Sequence, residues 1–306
     1  MKRLVIATRR SRLALWQAEH VKVRLENLHP GLVVKVLSMS TRGDELLDAR
    51  LDEAGGKGLF VKELENALAD ARADLAVHSM KDMPAQLPPG FVLSAITARE
   101  DPRDALVSNR YDCVQLMPRG AAVGTSSLRR ASQISERCPG LEIRLLRGNV
   151  ETRLAKLDRG EYDAIVLAVA GLVRLGLASR IRAKLAVDEM LPAPGQGALG
   201  IESLASRTDV SRMLQPLADV PTSLCVRAER AVSAALGGSC TIPLGAFAEV
   251  TGSTLRLRSL LATADGRQVL RSECSGPAGQ PELLGERSAN QLLAQGAAKI
   301  LADLAR

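Results

Sequence analysis

The chain has 306 residues, 46% hydrophobic and 25% charged, with no low-complexity tract, a length that predicts two or three domains with sizeable cores. Its formal net charge of +7 points to anionic partners, yet one Trp, two Tyr and three Phe offer few platforms for base stacking, and the basic residues recur singly or in pairs. Discrete anion sockets fit that pattern better than a nucleic-acid stripe, and no apolar run approaches a membrane span.

The N-terminus predicts a strand over 3–8 and reaches charge before a signal-peptide core can form. An apolar-periodic helix over 12–28 follows, with Ser11 as its N-cap and Pro30-Gly31 as its stop, and then a strand over 33–39. A polar stretch from Thr41 to Gly58 precedes a helix marked by Leu59, Val61, Leu64, Ala67 and Leu68, and then a strand over 74–79. Strands alternating with helices predict a parallel α/β sheet.

The pattern restarts at Ala121–Gly124. A helix from there reaches Cys138-Pro139-Gly140, followed by a strand over 141–146, a helix over 150–159 and a continuous apolar strand over 164–170. Leu191-Pro192-Ala193-Pro194-Gly195-Gln196-Gly197 marks a crossing segment. Beyond it lie a helix near 222–236, strands near 242–250, 254–262 and 267–274, and a long helix over 281–304. The expected organisation is α/β domain 1 from 1–98 with 198–216, α/β domain 2 from 103–192, and a smaller α+β domain 3 from 220–306.

In open α/β sheets ligands bind beyond the carboxyl ends of the strands. Arg9, Arg10 and Ser11 fall at such an end, as do Ser79, Lys81 and Asp82, then Thr125, Ser126 and Ser127 with Arg129 and Arg130, then Arg147 and Asn149, and finally Arg174. Thr125 to Ser127 suits either an anion socket or plain helix capping. Lys81-Asp82 suits either a turn or a general acid or base. His78 reads as core, and with His20 and His29 on or after the first helix no His/Cys metal cluster is visible.

Cys113, Cys138, Cys225, Cys240 and Cys274 are odd in number and widely spaced, which fits a reducing cytoplasm better than a disulfide framework. Cys240 stands apart because the glycine pair Gly237-Gly238 presents it just before an apolar strand. It reads either as a small buried side chain or as a covalent anchor.

Six segments run in order across nearly the whole chain: Ala7-Thr8-Arg9-Arg10-Ser11 with Leu13-Ala14-Leu15-Trp16-Gln17, Gly55-Gly56-Lys57-Gly58-Leu59-Phe60, Ala76-Val77-His78-Ser79-Met80-Lys81-Asp82, Gly124-Thr125-Ser126-Ser127-Leu128-Arg129-Arg130, Arg147-Gly148-Asn149, and Gly238-Ser239-Cys240. By these the chain resembles the porphobilinogen deaminase (hydroxymethylbilane synthase) family. The resemblance implies two α/β domains similar to periplasmic binding proteins around a cleft, plus a third domain, in a monomer. It implies a transferase of tetrapyrrole biosynthesis that joins four porphobilinogen molecules head to tail, releases four ammonia, and yields linear hydroxymethylbilane.

The implied cofactor is a dipyrromethane held by a thioether to Cys240. Asp82 matches the family's catalytic carboxylate, which would stabilise an electron-poor pyrrole and help move protons. Lys81, Asp82, Thr125, Ser126, Ser127, Arg129 and Arg130 match cofactor-facing positions. Arg9, Ser11, Arg147, Arg153, Arg174, Lys57 and Phe60 match positions facing substrate or the growing oligopyrrole. Thr41 to Gly58 would form a lid, where Glu53 stands in place of a lysine seen in some members, and Arg12 replaces a frequent proline.

Three other readings stand beside this one. A solute receptor shares the two-lobed plan but does not need the cysteine-bearing third domain. A thiol hydrolase would need Cys240 and His78 to meet, and nucleic-acid binding rests on net charge alone.

Overall fold

The computed structural model describes residues 3–41, 61–237 and 242–304. Strand β1 (Arg3–Arg9) leads into helix α1 (Arg12–Leu28), and strand β2 (Val33–Met39) follows. Ser11 caps α1, its hydroxyl accepting from the Ala14 N–H at 3.3 Å. Ala14, Ala18, Val21 and Leu25 recur at helical spacing, and that face of α1 is buried. Helix α2 (Lys62–Ala69), strand β3 (Leu75–Ser79) and strand β4 (Phe91–Ile96) come next.

Strand β5 (Asp104–Val107) precedes β6 (Ala122–Gly124), helix α3 (Leu128–Arg137), β7 (Glu142–Arg144) and helix α4 (Val150–Asp158). Then come β8 (Ala164–Ala168), helix α5 (Val169–Arg174), the short β9 (Ala183–Lys184), β10 (Leu199–Leu204) and helix α6 (Thr208–Leu214). Helix α7 (Val220–Ala235) leads to β11 (Leu244–Thr251), β12 (Thr254–Ala262), β13 (Val269–Pro277), α8 (Pro281–Ala294) and α9 (Ala297–Leu304).

These strands make three sheets, ordered β2-β1-β3-β10-β4, β7-β6-β8-β5-β9 and β11-β12-β13. The architecture is thus two α/β sheets plus a smaller α+β part. Neither five-stranded sheet is purely parallel, as alternation alone predicts. β10 runs antiparallel to β3 and β4, and β5 runs antiparallel to β8 and β9. Other boundaries also move, the strand expected over 141–146 shortening to Glu142–Arg144. The apolar run 164–170 is divided, its last two residues forming the first turn of α5, because full burial hides the switch of period. The expected helix 281–304 breaks between α8 and α9 at Gly296, whose φ of +106° a helix cannot continue.

The chain divides into two compact units, Met1–Glu100 with Ala198–Ser223, and Asp101–Gly197 with Leu224–Arg306. The first is centred on Ile6, Val21, Leu25, Leu75, Val77 and Ile201. In the second, the core of the five-stranded sheet includes Leu106, Val123 and Val166, while the three-stranded sheet closes over Leu255, Leu257 and Leu261 with Val232 and Leu292 from its helices. Among the described residues no helix is long and apolar enough to cross a membrane.

Within the second unit, the crossing segment is fastened to the three-stranded sheet. Glu229 of α7 is fully buried; its Oε2 accepts from the Gly195 N–H at 2.7 Å and its Oε1 from the Ala248 N–H at 2.8 Å. Removing the carboxylate would strand two buried donors. Glu229→Ala should therefore lower stability by about 3 kcal/mol in denaturant unfolding, and Glu229→Gln by less, since an amide oxygen preserves one acceptor. Equal midpoints for Glu229→Ala and the parent protein would contradict this.

Candidate functional site at the strand ends

β1 and β3 are adjacent and parallel, so their carboxyl ends open on one edge of the first sheet. Arg9 and Ser11 stand at the end of β1, and a single 3-10 turn, Met80–Asp82, carries Lys81 and Asp82 at the end of β3. The turn is anchored from below. Met80 and Met83 are buried, the Met80 N–H donates to the Ala198 carbonyl at 3.0 Å, and the Met83 N–H donates to the Met80 carbonyl at 3.2 Å. Gln17 of α1 donates through Nε2 to Ser79 Oγ at 2.9 Å, tying the helix to the same strand end.

That anchoring leaves Lys81 half-buried and Asp82 exposed at the crest. An exposed carboxylate on a fixed turn can meet a cationic reactant and exchange protons with it. His78 lies inside the sheet, buried, with Nε2 3.0 Å from Glu202 Oε2 on β10. It joins β3 to β10.

In the second unit β6 is parallel to β7 and β8, and β5 enters antiparallel with Asp104 opposite Ala168. Asp104 therefore lies at the same edge as the carboxyl ends of β6 and β8. Thr125 to Ser127 join β6 to α3 as a capping turn: Ser127 Oγ accepts from the Arg130 N–H at 3.5 Å, and Thr125 Oγ1 accepts from the Ser127 N–H at 3.1 Å. Ser126 and Ser127 are half-buried.

Arg129 and Arg130, on the first turn of α3, direct their guanidinium groups inward. Arg129 Nη1 donates to Asp104 Oδ2 at 2.8 Å and to the Leu191 carbonyl at 2.7 Å. Arg130 donates to Asp104 Oδ1 through Nε at 3.1 Å and Nη2 at 2.8 Å, and through Nη1 to the Val166 carbonyl at 2.9 Å. Gln196 Nε2 adds a bond to Asp104 Oδ1 at 3.0 Å. Burial alone would lift the Asp104 carboxyl; the two guanidinium groups outweigh it and hold the group well below the usual carboxylate range.

Arg147-Gly148-Asn149 forms the turn before α4. Asn149 Oδ1 caps the helix by accepting from the Thr152 N–H at 2.8 Å. Gly148 has φ +112°, and a Cβ there would come within 2.7 Å of Thr152 Cγ2, so only glycine fits. Arg153 Nε donates to the Gly148 carbonyl at 2.8 Å, while Arg147 Nε is buried with no hydrogen-bond partner among the described residues. Arg174, at the end of α5, donates through Nη2 to the Gly197 carbonyl at 2.6 Å.

Each unit thus gathers part of the expected set at one sheet edge: Arg9, Ser11, Lys81 and Asp82 in the first, and Thr125 to Ser127, Arg129, Arg130, Arg147 and Arg153 in the second. Cys240, Lys57, Phe60 and the expected lid from 42 to 58 lie outside the described residues. Asp104 and Gln196 escape sequence reading. The available signal is a lone aspartate opening a short apolar strand, but its partners lie 25, 26 and 92 residues away.

A group bearing several carboxylates fits the second unit's edge. Two guanidinium groups on one carboxylate leave the buried Asp104 cluster with one net positive charge, and Arg147 holds an unused buried N–H.

Comparison with known proteins gives the same direction. Residues 4–212 match the family model "Porphobilinogen deaminase, dipyromethane cofactor binding domain", and residues 223–294 match "Porphobilinogen deaminase, C-terminal domain". The chain is 57% identical over 303 residues to the porphobilinogen deaminase of Methylobacillus flagellatus, covering 99% of this chain and 98% of that one. It is 59% identical over 304 residues to that of Bordetella parapertussis, covering 99% and 97%, and 57% identical over 302 residues to that of Chromobacterium violaceum, covering 99% and 98%. With family models covering most of its length and relatives this similar from end to end, the chain belongs to the porphobilinogen deaminase family.

Proposed function

We propose that this chain joins four porphobilinogen molecules head to tail, with loss of four ammonia and release of linear hydroxymethylbilane, in tetrapyrrole biosynthesis. The observation that carries the reading is the exposed Asp82 on its buried-methionine turn, at the sheet edge that also holds Arg9 and Ser11. Dipyrromethane, when bound through Cys240, supplies the free pyrrole carbon to which the first substrate is added. The chain's own residues do the rest.

Asp82 stabilises positive charge on the pyrrole that has lost its amino group, and it takes and returns protons. Lys81 and the Thr125 to Ser127 turn bind carboxylates of the primer. Arg129 and Arg130 contribute from behind: their inward geometry makes them a buried source of positive potential under that turn. Arg9, Ser11, Arg147, Arg153 and Arg174 receive the acetate and propionate groups of substrate and growing chain, and Lys57 and Phe60 contribute to substrate binding. Arginine's planar fork suits such groups.

Six direct cationic contacts, from Lys57, Lys81, Arg9, Arg147, Arg153 and Arg174, at about 2 kcal/mol each would total about 12 kcal/mol, more than half of the non-covalent ceiling of roughly 18 to 21 kcal/mol. A covalent tether retains intermediates without that affinity, which leaves the arginines to neutralise and orient. We place the protein in the cytoplasm as a monomer without a nucleic-acid partner. The free thiols of Cys113, Cys138 and Cys274 support a reducing compartment.

The reading is tested by incubating the purified protein with porphobilinogen and measuring ammonia and hydroxymethylbilane; no ammonia release would overturn it. Asp82→Asn should lower kcat by about 100-fold or more with little change in melting temperature, a loss in the range of one acid–base group. Turnover within a factor of about 3 of wild type would remove Asp82 from the chemistry.

Asp104→Asn should cost about 3 kcal/mol at neutral pH, because two buried guanidinium groups lose their counter-charge. The folded carboxyl is held below its unfolded value, so its contribution is full above the unfolded pKa and is lost as pH falls through the folded one. The urea-midpoint gap between the two proteins should therefore be constant from about pH 6 to pH 8 and shrink below about pH 4. A gap that widens in acid would contradict the assignment.

A further inference from the structure

β10 is the strand against which the Asp82 turn rests. It pairs antiparallel with β3, Leu199 opposite Ser79 and Gly200 opposite His78, and the Ala198 carbonyl accepts the Met80 N–H at 3.0 Å. Gly200 lies in the buried stretch Leu199–Ser203 of this strand, where glycine forfeits packing and backbone entropy unless another group needs the space. Here the group is Met80. A Cβ on Gly200 would overlap Met80 Sδ outright, with Leu93 Cδ2 at 3.1 Å on another side. Met80 is 1% exposed, so its thioether has no solvent to retreat into.

The strands themselves are poorly placed to yield. β3 is paired on one side with β1 and on the other with β10, and the buried His78 to Glu202 hydrogen bond of 3.0 Å ties β3 to β10 a second time. Ser79 is held by Gln17. The first element free to move when Met80 is pushed is the turn Met80–Asp82 itself, whose far end is the exposed Asp82. We propose that Gly200 is a positioning residue for the reaction: the missing side chain seats Met80 and so sets where Lys81 and Asp82 stand above the sheet edge. This inference rests on Asp82 being the catalytic carboxylate.

The test is a cycle of Gly200→Ala, Met80→Ala and the double variant, read by kinetics with porphobilinogen and by amide hydrogen exchange at Met80 and Met83. Gly200→Ala should speed exchange at both amides and lower kcat by about 10- to 100-fold, the order expected for a misplacement near 1 Å, with KM within a factor of about 3. The double variant should recover exchange protection and turnover to the level of Met80→Ala alone or better, because the shortened side chain leaves room for the added methyl. A merely structural glycine would show loss of melting temperature with kcat per folded molecule unchanged, and that result would overturn the proposal. So would a double variant no better than Gly200→Ala. Exchange is independent of chemistry: if wild-type protein fails to consume porphobilinogen, the functional reading falls, and altered exchange still decides whether Gly200 seats the turn.

Discussion

Asp104 is the point on which the second sheet's edge depends. A carboxylate with no solvent exposure is tolerable only when its charge is matched and its lone pairs are filled, and here Arg129, Arg130 and Gln196 do both. The same three side chains also bond the Leu191, Val166 and Pro102 carbonyls. One buried cluster therefore ties β5, the start of α3, the middle of β8 and the crossing segment together. Its surplus positive charge sits behind the Thr125 to Ser127 turn. Positive potential at that turn is consequently a property of the folded interior, less open to screening by salt than a surface lysine would be.

The first sheet solves the complementary problem. On the proposed function Asp82 exchanges protons repeatedly and so cannot be locked into an ion pair, and its precision has to come from the backbone beneath it. The 3-10 turn, two buried methionines, the Ala198 carbonyl and the space at Gly200 supply that support without touching the Asp82 carboxylate. Charge is organised by burial in one unit and by steric support in the other.

Much of this was legible in the chain. The helix 12–28 and the strands 33–39 and 254–262 appear in the structure with the boundaries their periodicity and punctuation predict, because Ser11, Pro30-Gly31 and Gly252 are local signals. β4, β5 and β10 are harder to see. β10 has both faces buried and includes Gly200 and Glu202, each placed there by a partner on or beyond β3, so neither alternation nor an apolar run survives. The importance of Arg129 and Arg130 follows from their position after a strand, but their inward direction does not, since Asp104 is distant in sequence and β5 is entered from another part of the chain. Arg147-Gly148-Asn149 is the opposite case: glycine, cap and cation are contiguous, and the turn can be read directly.

On the proposed function, the acidic, growing product is held by a tether while neutralising cations orient it. Denaturing the active protein and measuring its intact mass, followed by mapping of the peptide that contains Cys240, tests this most directly. The predicted result is a covalent excess equal to two porphobilinogen-derived units located on Cys240. An active preparation with the unmodified polypeptide mass, or with the adduct on a different residue, would contradict it.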